Sequence, residues 1–135
     1  MAAVQQYVSG VSTKDTARMR AVVDPGARYD LALLDGADAH TVRSGSIEST
    51  FPTVASRAGL VAARIWRPVV QVHEDIASVW TPYAVTVDGI YGWCGTDHFT
   101  VLRRASGWRI SSVTYTRQTT GCEVWASRSG RPASR

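Results

Sequence analysis

An acid and a base stand side by side in CGTDHFTVLRR, residues 94–104. Carboxyl and imidazole groups are common proton-transfer groups in proteins. The stretch is typical of a β-strand, in which side chains alternate between two faces, so Asp97 shares a face with Phe99 and His98 lies opposite. If the Asp97 face is interior, desolvation raises the pKa of its carboxyl and favours the neutral, proton-donating form. If the faces are swapped or the carboxyl is bonded to backbone, Asp97 is a structural or surface residue.

A tyrosine near the amino terminus is the second candidate. Val4, Tyr7, Val8 and Val11 recur at helical spacing and predict one apolar helix face. A tyrosine on such a face is typical of a core residue whose hydroxyl finds a partner. The alternative is that this partner is a ligand oxygen, shared with Asp97.

Tyr29 and Asp30 are neighbours in ARYDLALL, which reads as the first strand. Alternation places them on opposite faces, and the ring of Tyr29 favours the inner one. Asp30 is therefore a candidate general base only if a bulge turns it inward.

The chain carries more aromatic area than a small core needs. Such rings fill the interior, cover a dimer interface or line a pocket for a flat hydrophobic ligand. The residues predicted to contact a substrate are Tyr29, Phe51, Phe99, Trp80 and Tyr115.

The cysteines and histidines do not follow a metal-ligand spacing. Cys94 and Cys122 are far apart, and His40, His73 and His98 are scattered. We therefore expect no metal and no cofactor. The cysteines are expected to be reduced thiols, although they could pair if the strands bring them together.

The excess of positive charge belongs to the carboxyl terminus. The chain has 15 basic and 11 acidic residues, and Arg128, Arg131 and Arg135 lie in the Ser- and Gly-rich segment ASRSGRPASR. Without these three, 12 basic residues face 11 acidic ones, which does not favour nucleic-acid binding. We predict one domain over residues 1–122 and a flexible basic tail over residues 123–135.

No apolar run approaches the length of a membrane span, and the first residues lack a basic-then-apolar signal layout. We expect a cytoplasmic protein that does not contact a membrane.

The predicted order is helix, helix, strand, helix and then four strands, with the third helix over residues 44–59 and period-two alternation after it. This order predicts an α+β domain in which three N-terminal helices pack on a strongly curved, mostly antiparallel sheet. Helices on one face of such a sheet leave a concave space, either filled with side chains or kept as a pocket.

This arrangement resembles the NTF2-like superfamily of cone-shaped α+β proteins, which includes SnoaL-like cyclases, ketosteroid isomerases and scytalone dehydratases. The resemblance covers roughly residues 2–122, with CGTDHFTVLRRASGWRISSVTYTRQTTGC similar to the closing hairpin. MAAVQQYVSGVSTKD and MRAVVDPGARYDL are similar in spacing to the first helices and strand of ketosteroid isomerases. The resemblance implies that Tyr7 and a protonated Asp97 form an oxyanion hole. Leu31 stands where those enzymes carry the aspartate base.

The resemblance implies a cofactor-independent isomerase, cyclase or dehydratase that transfers a proton next to a carbonyl. Its substrate would be hydrophobic, polycyclic or polyketide-like, and the protein a homodimer through the outer face of the sheet. If no separate base exists, Asp97 itself is the acid or base. The alternative is a non-catalytic ligand-binding or protein-interaction module, because an oxyanion hole without a base only binds a carbonyl.

Overall fold

The protein folds into four helices and seven strands within residues 1–130, the part of the chain that this computed structural model describes. The helices are α1 (Ala2–Thr13), α2 (Thr16–Arg20), α3 (Phe51–Ser56) and α4 (Cys122–Arg128). The strands are β1 (Val23–Leu33), β2 (Val42–Ser46), β3 (Val61–Ile65), β4 (Val69–His73), β5 (Ile76–Val87), β6 (Ile90–Arg104) and β7 (Gly107–Arg117).

The first two helices form a tight corner. Lys14 ends α1 in a left-handed conformation, and the Asp15 carboxylate then accepts a hydrogen bond from the backbone N–H of Arg18 at 3.1 Å. This cap satisfies one of the free N–H groups at the start of α2. Gly10 lies where the helices meet, and an added Cβ would overlap the Met19 side chain. The glycine therefore allows α2 to pack directly against α1.

All seven strands belong to one sheet, in the order β2-β1-β7-β6-β5-β3, with β4 also paired to β5. β1 and β7 run parallel, and the other pairs are antiparallel. The pairing shifts register between Val85 and Thr86 and again between Thr100 and Val101. Such irregularities bend a strand and increase its twist. The curved, mostly antiparallel sheet expected from the sequence is confirmed.

The main core lies between the concave face of the sheet and helices α1, α2 and α3. Ala77 and Val79 of β5 and Phe99 and Val101 of β6 enter it at every second position, as the alternation of apolar residues predicts, and Ile110 and Val113 of β7 join them. Its most buried members are Val4, Met19, Ile47, Val79, Phe99 and Ile110.

The region predicted as the third helix is only partly helical. Residues 44–46 belong to β2, which pairs with β1, and a 3-10 turn at Glu48–Thr50 leads into the six-residue α3. Pro52 lies in the first turn of α3, where its missing N–H has no helical acceptor to lose. The third helix is therefore much shorter than expected, and the prediction of three N-terminal helices is not confirmed.

The prediction of a flexible segment from residue 123 differs from the structure, because α4 continues to Arg128. Trp125 packs edge-on against Trp66, with ring centroids 5.6 Å apart. Cys122 forms a disulfide with Cys94 of β6, so the expectation of reduced thiols was also wrong. The Ser- and Gly-rich composition did not indicate a helix here, because the helix is stabilised by the contact between Trp66 and Trp125 and by the disulfide. Residues 131–135 of the predicted tail lie outside the described residues.

Within residues 1–130, no helix is both long and apolar enough to cross a membrane.

Candidate functional site

A cavity lies between α1, α3 and the concave face of the sheet. It contains about 730 Å³ of empty space, counting the part that opens to solvent. Its apolar wall includes Val8, Val11, Val54, Ile65, Val85 and Val113. A mostly apolar cavity with a few polar groups is the usual form of a small-molecule site.

Asp97 lines this cavity from the middle of β6. It is paired across the sheet with Thr81 on β5 and Tyr115 on β7, and only 9% of its surface is exposed. Among the described residues, no hydrogen bond reaches its carboxyl oxygens. Burial raises the pKa of this carboxyl to about 8, because the charged form loses its hydration and gains nothing in return. At neutral pH Asp97 is therefore mainly a neutral acid.

Tyr7 faces the same cavity from α1. Its ring meets Phe99 edge-on, with centroids 5.8 Å apart. Burial raises the pKa of the Tyr7 phenol well above its ordinary value, and Tyr115 and Asp97 add to the rise. The hydroxyl remains protonated, and no described residue makes a hydrogen bond with it. It is free to donate to a ligand oxygen.

Three further tyrosines complete the polar side of the cavity. Tyr115 lies between Tyr29 and Tyr83, with ring centroids 6.4 Å and 6.2 Å away. The Tyr83 hydroxyl donates to the backbone carbonyl of Thr116 at 2.6 Å. Burial raises the pKa values of both Tyr83 and Tyr115. The phenols of Tyr83 and Tyr115 are therefore hydrogen-bond donors rather than bases at neutral pH.

Two arginines line the cavity near a tryptophan. The guanidinium carbons of Arg57 and Arg117 lie 4.6 Å and 5.6 Å from the centroid of the Trp93 ring. Burial, followed by the charge of Arg117, lowers the pKa of Arg57. Positive charge therefore collects at this end of the cavity.

Five of the eight residues predicted for the site line the cavity. They are Tyr7, Tyr29, Asp97, Phe99 and Tyr115. Alternation along β6 was the signal that placed Asp97 and Phe99 on one face, and the ring of Tyr29 was the signal that turned it inward on β1.

The remaining three lie elsewhere. Asp30 is exposed on β1, where its carboxylate accepts a hydrogen bond from the Ser44 hydroxyl; no bulge turns it inward. Phe51 is buried in the core below α3, outside the cavity lining. Trp80 is 54% exposed on the opposite face of the sheet. The side-chain alternation of the strand decides where Asp30 and Trp80 point, and helix packing decides the position of Phe51. All three were assigned to the site because of their residue type, which does not determine position.

Leu31 is a buried core residue, and among the described residues Asp97 is the only carboxylic acid in the cavity lining. The residues that sequence reasoning missed are Arg57, Arg117 and Trp93. Arg57 follows a short helix and Arg117 ends a strand, positions at which an arginine is ordinarily solvated, so nothing in the local sequence marked them.

The described residues contain no group of three or more His, Cys, Asp or Glu side chains placed to hold a metal ion.

A curved sheet closed by helices around an apolar cavity is the NTF2-like fold, and structures of similar shape carry this description. One is an NTF2-like protein of unknown function from Shewanella baltica OS155, with 18% identity, a TM-score of 0.64, and 86% of this chain and 88% of that one covered. A second is described as a "putative aromatic ring hydroxylase" from Novosphingobium aromaticivorans, with 21% identity, a TM-score of 0.68, and 87% and 88% covered. A third, a "putative dehydratase" of the NTF2-like family from Streptomyces avermitilis, has 13% identity, a TM-score of 0.66, and 86% and 91% covered. At these identities the likeness concerns the fold alone.

The chain belongs to the family described as "Putative lumazine-binding", whose sequence model matches residues 1–116. No curated protein matches it significantly. The NTF2-like resemblance read from the sequence is confirmed. The family and the cavity together support small-molecule binding.

Proposed function

We propose that this protein binds a planar, hydrophobic carbonyl compound in its cavity and transfers a proton at the carbon next to the carbonyl. The reaction would be an isomerisation, cyclisation or dehydration of a polycyclic or polyketide-like substrate without a cofactor. The observation that carries the proposal is Asp97: a buried carboxyl group without a hydrogen-bond partner among the described residues, facing an apolar cavity. A group in such a position is typical of a functional site rather than of a structural one.

Asp97 is the proposed proton acceptor, because Asp30 and Leu31 cannot serve as one. With its pKa near 8, about a tenth of the Asp97 carboxyls are ionised at pH 7. A poorly hydrated carboxylate is a stronger base than a solvated one, and a pKa close to the working pH suits general-base catalysis.

Tyr7 is the proposed oxyanion donor. When the Asp97 carboxylate takes a proton from carbon, the electron pair moves to the carbonyl oxygen, and the Tyr7 hydroxyl donates a hydrogen bond to the enolate that forms. Asp97, now protonated, returns the proton to a second carbon in an isomerisation or to the departing hydroxyl in a dehydration. In a cyclisation, the enolate carbon attacks another carbonyl and the new alkoxide takes the proton.

Hydrogen–deuterium exchange tests this proposal without knowledge of the natural substrate. The α-protons of 2-tetralone, a flat ketone, are replaced by deuterium whenever an enolate forms in D₂O, and NMR measures the rate. We expect the protein to accelerate exchange, and Asp97→Asn to slow the protein-dependent rate by about 100-fold or more. His98→Gln, a change at the neighbouring residue on the opposite face, is the matched control and should leave the rate unchanged.

The pH dependence of the same exchange separates two roles of Asp97. A base must be ionised, so the rate should rise with pH and level off above about 8. A rate that falls through this range would mean that neutral Asp97 acts only as an oxyanion donor, and would contradict the assignment of Asp97 as the base.

A non-catalytic ligand-binding role is the second candidate. It is favoured by the buried, apolar Leu31, which leaves Asp97 without a second carboxyl group in the described lining of the cavity. Binding of 2-tetralone without accelerated exchange would support this role.

The family description supplies one ligand to test. Lumazine is a flat bicyclic compound with two carbonyl groups, which suits a cavity that offers a neutral acid and several phenols. Calorimetry with wild-type protein and Asp97→Ala should show binding to the former that is weakened in the latter.

We also propose that the protein is a homodimer through the outer face of its sheet. Val69, Ile76 and Trp80 are 57%, 55% and 54% exposed there, and adjoining exposed apolar side chains are typical of an interface. Light scattering should give a dimer mass for wild-type protein and a monomer mass for Trp80→Lys. Val42→Lys, at another exposed valine on β2, should remain dimeric.

The predicted cytoplasmic location and the Cys94–Cys122 disulfide lead to opposite expectations. Cytoplasmic thiols are kept reduced, whereas oxidising compartments retain disulfides. Thiol alkylation in intact cells, followed by mass spectrometry, would find both cysteines modified if the protein is cytoplasmic and neither if it is exported.

A further inference from the structure

Arg57 and Arg117 reach the same ring from different elements. Arg57 follows α3, Arg117 ends β7, and both guanidinium groups lie within 6 Å of the Trp93 ring. All three residues line the cavity and are partly buried. A third cation, Arg64, also lines the cavity but is exposed to solvent.

These two arginines have no acidic partner among residues 1–130. The ion pairs in this part of the chain involve Arg20, Arg43, Arg103 and Arg104. In addition, Arg117 Nε is buried and makes no hydrogen bond with a described residue. Two neighbouring like charges that are partly removed from water destabilise the unliganded state. A bound anion would relieve the repulsion between them.

The tryptophan that the two arginines contact is displaced along the sheet from Asp97. Trp93 and Asp97 are four residues apart on β6, which corresponds to roughly 13 Å along an extended strand. Consistent with this separation, the pKa of Asp97 is raised by burial with no cation acting against it. The cavity therefore has a neutral acid with the cations displaced to one side of it, and the phenols of Tyr83 and Tyr115 interact with both.

We propose that the ligand is an organic acid: a planar hydrophobic molecule whose carboxylate is held by Arg57 and Arg117 while its ring system extends toward Asp97. This inference rests on the proposed function and names its substrate class. A guanidinium group presents two parallel N–H donors that match the two oxygens of a carboxylate. Arg57 and Arg117 both line the cavity and can present such donors to a carboxylate bound there.

The experiment compares two ligands of the same shape and different charge. Calorimetry measures the dissociation constants of 2-naphthoate and 2-naphthamide for wild-type protein, Arg57→Gln and Arg117→Gln at pH 7. Arg28→Gln is the control, because Arg28 is exposed on β1 and its replacement removes the same unit of charge. Thermal unfolding of each variant checks that it is folded, and Arg117→Lys serves as a second variant that keeps the charge.

We expect wild-type protein and Arg28→Gln to bind the carboxylate at least about tenfold more tightly than the amide. This preference should fall below about threefold in Arg57→Gln and Arg117→Gln, and Arg117→Lys should retain part of it. Added salt should weaken naphthoate binding more than naphthamide binding.

Equal affinity for the two ligands in wild-type protein would overturn the inference and leave the proposed function intact, since the neutral ligand would still occupy the cavity. A preference that survives in both glutamine variants would also overturn it. If neither ligand binds at millimolar concentration, the organic-acid inference fails, whereas exchange of 2-tetralone protons would still report on the proposed function.

Discussion

Asp97 and His98 are consecutive residues of β6 with opposite surroundings. Asp97 faces the cavity, is buried, and makes no side-chain hydrogen bond with a described residue. His98 lies on the outer face, where its ring packs at a tilt against Trp80 with centroids 4.4 Å apart and its Nε2 forms a 2.9 Å hydrogen bond with the Ser78 hydroxyl. The Asp97 carboxyl therefore lacks a hydrogen-bond partner among the described residues, whereas the His98 ring has one in Ser78.

This difference shows that the face of the strand, more than the residue type, decides which group can act on a ligand. Histidine is the more common proton-transfer residue, yet here it is the aspartate that meets the cavity. Burial changes the carboxyl from a solvated anion into a neutral acid.

The largest effect concerns stability against pH. The pKa of Asp97 rises from its ordinary value of 3.8 to about 8 on folding. Its contribution to stability is therefore fully present below about pH 4 and is lost as the pH rises to about 8. Between pH 5 and pH 9 the free energy of unfolding of the wild-type protein should fall by about 4 kcal/mol relative to that of Asp97→Asn, which cannot ionise at this position. Urea unfolding of both proteins at the two pH values measures this difference.

The control for that experiment is His98→Gln on the outer face. The difference in free energy of unfolding between this variant and wild type should not increase as the pH rises. A parallel pH response of wild type and Asp97→Asn would show that Asp97 is hydrated or paired in the folded protein.

The second prediction contrasts the two ends of the outer face. One end is covered by α4, which the Cys94–Cys122 bond fixes across 28 residues, and the other end exposes Trp80. Replacing both cysteines with serine should reduce the free energy of unfolding by about 3–4 kcal/mol, because the unfolded chain is no longer constrained. Urea unfolding without reductant measures the loss, and wild-type protein with reductant should resemble the variant. Equal stability of the oxidised and reduced proteins would contradict this prediction.

The third prediction concerns Tyr7. Its hydroxyl has no partner among the described residues, so Tyr7→Phe should change protein stability by less than about 0.5 kcal/mol. Its affinity for 2-tetralone should nevertheless fall up to about tenfold, since a hydrogen bond to the ketone is lost. A large loss of stability with unchanged affinity would assign Tyr7 to the core alone. Tyr29→Phe, at another cavity tyrosine, is the comparison variant.

The smallest effect is expected for His98→Gln. This change removes a partly exposed ring contact and one hydrogen bond with Ser78, and should reduce stability by about 0.5–1 kcal/mol. Ligand affinity and 2-tetralone exchange should match those of wild type. A clear change in exchange would mean that the two faces of β6 are coupled.

Much of the sheet could be predicted from the sequence, because its residues repeat with a period of two. That repeat placed Asp97 and Phe99 on one face of the strand and His98 on the other, and the family resemblance pointed the first face inward. It could not reveal β2, whose short polar sequence VRSGS pairs with β1 at the sheet edge. Nor could it reveal α4, whose packing depends on the distant Trp66.

The candidate site was predictable only where a local pattern fixes a face. Tyr7 and Asp97 lie on regular elements, so their orientation followed from spacing. Arg57 and Arg117 line the cavity because the chain returns to it at the ends of two elements, which is a tertiary property. The disulfide has the same origin, since Cys94 and Cys122 meet only after α4 folds over β6.

The central claim is that Asp97 is a neutral acid in the cavity at physiological pH. The most direct test is a carbon-detected NMR titration of the side-chain carboxyl in protein labelled with ¹³C at aspartate, assigned by comparison with Asp97→Asn. This carboxyl should titrate with a midpoint near 8. A midpoint near the ordinary value of 3.8 would contradict it, because Asp97 would then be an ionised, hydrated residue throughout the neutral range.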